Sequence, residues 1–154
     1  MMKVLSICLA LLSCALVLNA RQARAEASFV GSKACAECHQ EEYDSFLKFS
    51  KKPHSFEGVE KMRSDLKPEE LKTCYGCHTT GYGRPGGFVD TASTPDLAQV
   101  GCETCHGPGS DHAEGGDPAS ITRKPTLESC GRCHNAERTG EFNFKPLLYS
   151  GAHK

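Results

Sequence analysis

The chain has 154 residues, with 18 Lys and Arg against 19 Asp and Glu, a net charge of −1. Without the leader described below the balance is 15 basic to 19 acidic residues, or −4, which argues against nucleic acid as a partner and favours docking proteins that present a basic patch. Beyond residue 25 only 19 residues are Leu, Ile, Val or Phe, about 15 percent, below the ~20 percent at which side chains ordinarily bury enough apolar surface to offset chain entropy. Such a chain is either disordered or filled by something other than its side chains.

The N-terminus reads as an export leader. Lys3 precedes an apolar and weakly polar run from Val4 to Leu18, and Ala23-Arg24-Ala25 places small residues where a signal peptidase reads them. Residues 1–25 are therefore expected to be a signal peptide and residues 26–154 one exported domain. The run is shorter than the ~20 apolar residues a spanning helix needs, so no membrane span is expected in the mature chain. The implied location is the periplasm. Alternatives are the cell exterior, or a lipid anchor at Cys14, although the apolar run continues past Cys14 to Leu18.

Along the mature chain, Ser32 is placed to cap a helix from about Lys33 to Lys48. Lys67-Pro68-Glu69-Glu70 has the form of a helix start, with proline in the first turn and acids at the positive end of the dipole. Four glycines in seven residues from Gly81 to Gly87 predict turns, and Phe88-Val89 with Leu97 to Val100 a short strand pair. Gly107-Pro108-Gly109 and Gly115-Gly116-Asp117-Pro118 predict loops, and Pro125 to His134 a third helix. The expected fold class is mainly α, with long loops and little β.

Cys8 and Cys14 lie in the leader, and the other eight cysteines form four pairs, each followed at once by histidine. The pairs are Cys35 and Cys38 before His39, Cys74 and Cys77 before His78, Cys102 and Cys105 before His106, and Cys130 and Cys133 before His134. Cys-x-x-Cys-His is the attachment signature of c-type haem. Two thiols on one helical turn can form thioethers to the two vinyl groups of one porphyrin, and the adjacent imidazole then lies under the iron. Structural zinc needs no histidine after every second cysteine, a disulfide is strained at this spacing, and a thioredoxin-type pair would occur once, in an α/β setting. Four covalently bound haem c groups are therefore expected. With 129 mature residues each ring would have about 32 residues to cover it, and the stacked rings would form the core of a small multihaem fold.

Each iron has a second axial position, and the histidines left to fill them are His54, His112 and His153. Met62 is the only mature methionine. The count predicts either three bis-histidine haems and one open iron, or Met62 as a fourth ligand. His112 follows His106 too closely to pass round that haem, and a helix rising ~1.5 Å per residue would carry His54 away from the haem of His39. Both are expected to reach across to other haems.

The sequence resembles the tetrahaem cytochrome c-554 family over most of Phe29 to His134. The likeness is carried by Gly81-Tyr82-Gly83 with Gly86-Gly87, by the run Val100-Gly101-Cys102-Glu103-Thr104-Cys105-His106-Gly107-Pro108-Gly109 with Asp111-His112, and by Ser45-Phe46 and His54. Phe46 stands where that family often has tryptophan. The family is known as electron carriers serving hydroxylamine oxidoreductase. The resemblance implies axial pairs His39/His112, His106/His54 and His134/His153, with the iron of His78 five-coordinate.

Together these features imply electron transfer between a donor and an acceptor protein, with no catalytic residue assigned. Alternatives are reduction of a small molecule such as nitric oxide at the open iron of His78, or self-association into a conducting filament. If porphyrin supplies the interior, the apoprotein does not fold: circular dichroism of haem-free chain should show no cooperative melting, and a compact, cooperatively melting apo form would overturn that view.

Overall fold

The computed structural model describes residues 26–139. The expected signal peptide and His153 lie outside these residues. The described chain is a series of short helices joined by turns and loops. Among its residues no helix is long and apolar enough to cross a membrane.

The helix expected from Lys33 to Lys48 is in fact two, α1 (Ser32–Ala36) and α2 (Gln40–Phe49). The break falls inside the first Cys-x-x-Cys-His, where His39 takes φ −119° and ψ 49°, outside the helical region. Glu41 and Glu42 then open α2 at its positive end. Ser32 does not cap α1: Gly31 is the N-cap, and the buried Ser32 hydroxyl accepts the Cys102 N–H at 3.1 Å. A tertiary partner has taken the side chain from its local role.

A 3₁₀ turn, Lys52–His54, leads into α3 (Ser55–Met62), at whose end Met62 is 52% exposed. The helix α4 (Pro68–His78) starts as expected, with the Glu70 carboxylate accepting the Lys67 N–H at 2.8 Å. α5 (Cys102–His106) is the third attachment sequence itself. α6 (Ser110–Gly115) stops at Gly116 in the left-handed conformation. α7 (Leu127–Gly131) is shorter than the helix expected from Pro125 to His134, and α8 (Ala136–Thr139) follows it.

No strand occurs among the described residues. The expected pairing of Phe88-Val89 with Leu97 to Val100 fails because Thr80 lies between them. Phe88 donates its N–H to the Thr80 carbonyl and Thr80 donates to the Leu97 carbonyl, both at 2.9 Å.

The apolar core is small and is drawn from residues 56 to 97. Phe56 and Val59 of α3 pack with Leu71 and Tyr75 of α4 and with Phe88 and Leu97. Tyr75 and Phe88 meet edge to face, their ring centres 5.2 Å apart at 84°. From residue 101 to 138 the buried residues are Gly101, Glu103 and Gly109, none of them a large apolar side chain. The half carrying the third and fourth attachment sequences thus has no side-chain core of its own among the described residues.

Gly87 closes the Gly81 to Gly87 turns beneath Phe88, and a Cβ there would lie 1.8 Å from the Gly81 carbonyl oxygen. Gly58, within α3, would meet nothing within 4 Å. Gly87→Ala should therefore destabilise the haem-loaded protein by about 2–3 kcal/mol. Gly58→Ala should stabilise it by about 0.5–1 kcal/mol. Denaturant unfolding of both variants checks the opposite signs.

Candidate functional site: the attachment turns

Each Cys-x-x-Cys-His forms one helical turn. His39 N–H donates to the Cys35 carbonyl at 2.8 Å and His134 N–H to the Cys130 carbonyl at 2.9 Å. The second sequence forms the end of α4 and the third the whole of α5. No disulfide joins any of the eight described cysteines; Cys38 is exposed and the others are half-buried. Cysteines three apart on a turn share a face, so each turn presents two thiols together with an imidazole.

The imidazoles are oriented by the backbone. His78 Nδ1 lies 2.6 Å from the Ser55 carbonyl oxygen and His106 Nδ1 lies 2.7 Å from that of Thr122. A carbonyl can only accept, so Nδ1 carries the proton and Nε2 keeps the lone pair a metal needs. His112 Nδ1 faces the Asp117 carbonyl oxygen at 2.9 Å, and His54 Nδ1 the Glu57 carboxylate at 2.8 Å. Four of the six described histidines are thus held in the same tautomer. His39, at the first turn, faces His112 of α6, their ring centres 6.2 Å apart and their planes within 20°. Two metal–nitrogen bonds of about 2 Å plus the two ring radii span about 6 Å. Burial, then the charge of Lys52, holds the His134 imidazole below its usual range.

The turns meet in a definite order. The first meets the third where the Ser32 hydroxyl accepts the Cys102 N–H at 3.1 Å, and the Cys35 and Cys102 thiols lie close enough that each acts on the other, which pushes Cys35 far up and pulls Cys102 down to about 6. The third meets the fourth where Arg132 Nη2 donates to the Thr104 carbonyl at 2.6 Å. Lys52 sits close to Cys105 and Cys130 at the same junction, where burial lowers its own pKa. The fourth meets the second where the Cys133 thiol lies 3.9 Å from the Gly76 carbonyl oxygen and beside Cys77. Burial, then Cys77, pushes Cys133 up to about 11. The succession is first, third, fourth, second.

Several supporting groups carry no signal in the sequence because their partners are distant along the chain. The Ser55 hydroxyl donates to the His78 carbonyl at 3.0 Å and accepts the Val100 N–H at 2.8 Å. Thr80 Oγ1 accepts the Gly101 N–H at 2.9 Å and donates to the Gln99 carbonyl at 2.7 Å. Glu103, read from the sequence only as part of a motif, is fully buried.

The donor set fits a covalently held haem: paired thiols on one turn, beside an imidazole whose Nδ1–H is engaged at the second and third turns. Among the described residues no three His, Cys, Asp or Glu side chains converge to hold a bare metal ion.

Comparison with known proteins points the same way. The family model for cytochrome c554 and c-prime matches residues 34–107, which include the first three attachment turns. Cytochrome c-554 of Nitrosomonas europaea is 30% identical over 142 aligned positions, covering 71% of this chain; the chain spans 59% of that relative's length. The structure of reduced cytochrome c554 from the same organism superimposes with a TM-score of 0.60 at 23% identity, over 84% of this chain and 86% of that one. The mainly helical fold, the attachment turns and these likenesses agree, and the chain belongs to the cytochrome c-554 family, c-type cytochromes whose haem is bound covalently.

Proposed function

We propose that the protein is an exported, periplasmic electron carrier with four haem c groups, passing electrons between a donor and an acceptor protein. One observation carries the reading: four attachment turns, each in contact with the next, in the order first, third, fourth, second. Haem c supplies a one-electron iron couple at each turn. Everything else asked of the chain is to attach, ligate and space. Electron tunnelling falls exponentially with distance, so contact between turns is the arrangement a conductor requires.

In this reading Cys35 and Cys38, Cys74 and Cys77, Cys102 and Cys105, and Cys130 and Cys133 hold the four rings. His39, His78, His106 and His134 are their proximal ligands. His112 serves the first site, an assignment supported by its separation from His39. His54 serves the third and His153 the fourth, by likeness to the family, and the iron at His78 is open. Residues 1–25 act as the export signal.

A distal ligand drawn from another site's segment ties two turns together. Here α6, which follows the third turn, would supply the ligand of the first. Ligation by two imidazoles keeps potentials low, whereas a methionine in one position raises them.

An iron count with oxidised and reduced spectra should give four irons per chain and one high-spin centre that shifts on adding nitric oxide. A colourless mature protein, or zinc in place of iron, would sink the proposal. His112→Met should raise one of the four potentials in a redox titration; four unchanged potentials would remove His112 from the ligand set.

A further inference from the structure

Glu103 is the only charged side chain among the described residues that is fully buried, at 1% exposure. It stands between the two cysteines of the third attachment turn. Its Oε1 accepts the N–H of Val30 at 3.0 Å and of Gly109 at 2.8 Å. Its Oε2 accepts the N–H of Gly31 at 2.8 Å and of Val30 at 3.2 Å. One set of donors precedes α1 and the other follows α5, so one carboxylate joins the entry to the first turn with the exit from the third.

Every donor is a backbone amide, so both oxygens act only as acceptors, the role of an ionised carboxylate. Burying such a charge is costly unless it is hydrogen-bonded, and four N–H contacts meet that demand. They bring no opposite charge, however. Among the described residues the ion pairs are Lys33 with Asp96, His54 with Glu57 and Arg63 with Glu60, none involving Glu103. Its field is felt at both neighbouring thiols, Cys35 and Cys102, where it acts against ionisation. Glutamine could not replace it: one of its two polar atoms would be an NH₂ facing amide N–H groups.

We propose that Glu103 is a positioning residue that clamps the segment before α1 onto the third attachment turn, and that its buried charge lowers the reduction potential of the haem held there. The proposal rests on reading the turns as haem sites. A buried negative charge is weakly screened by salt and favours the oxidised, more positive iron.

The test uses mature, haem-loaded protein. Wild type, Glu103→Gln and Glu103→Asp are compared by covalent haem count and by redox titration followed in the visible spectrum. A wild-type chain without four haems would mean that the turns have been misread, a failure separate from that of Glu103. In Glu103→Gln with a full haem count, one or two potentials should rise, by about tenfold in the oxidised-to-reduced ratio, or about 59 mV for a one-electron couple. Glu103→Asp keeps the charge and should keep the wild-type potentials. Unchanged potentials in fully loaded Glu103→Gln overturn the electrostatic role.

Should Glu103→Gln fail to mature, hydrogen exchange on wild-type holoprotein decides. The amides of Val30, Gly31 and Gly109 should exchange about a hundredfold more slowly than exposed loop amides such as Gly83. Exchange at loop rates would overturn the clamp.

Discussion

At the junction of α1 and α5 the Ser32 side chain sits so close against the chain that a Cβ on Gly101 would lie 2.4 Å from its hydroxyl. Ser32 uses that proximity to accept the Cys102 N–H, Thr80 accepts the Gly101 N–H, and Glu103 accepts from Val30 and Gly31. Ser32 and Glu103 thereby hold the first and third turns against each other, and Thr80 links the third to the chain just beyond the second. Each such bond contributes only about 0.5–1.5 kcal/mol net. Their importance lies in direction: unlike apolar contact, a hydrogen bond between buried groups tolerates little displacement.

That directional control matters because large buried apolar side chains are few and, among the described residues, all precede residue 101. Phe56, Val59, Leu71, Tyr75, Phe88 and Leu97 form a cluster against which Cys74 of the second turn packs. Past residue 100 the described chain buries no large apolar side chain. A haem at each turn would supply the missing surface. Thioether attachment suits a group with that structural role, since its loss would expose the interior it fills.

The succession of turns also joins neighbours that are remote in sequence. The first and third are linked through Cys35 and Cys102, and the fourth contacts both the third, through Arg132 and Thr104, and the second, through Cys133. Arg132 and Lys52 place positive charge where the third and fourth turns meet, while Glu103 places negative charge where the first and third meet. Such opposite fields are a means of making the turns electrostatically unequal although they share one sequence motif.

The amino-acid sequence by itself determined the chemistry. Cys-x-x-Cys-His is a local pattern, legible because the two thiols and the imidazole must share one turn, and the low apolar content followed from counting. The start of α4 was legible for the same reason, since Pro68 and Glu70 act within a few residues. Tertiary structure decided what depends on distant partners: the start of α1, where Ser32 leaves its capping role for Cys102; the absence of a strand pair, because Thr80 lies between the two segments; and the burial of Glu103. A side chain's local propensity is readable along the chain. Its partner 70 or more residues away becomes visible only when the backbone has brought the two together.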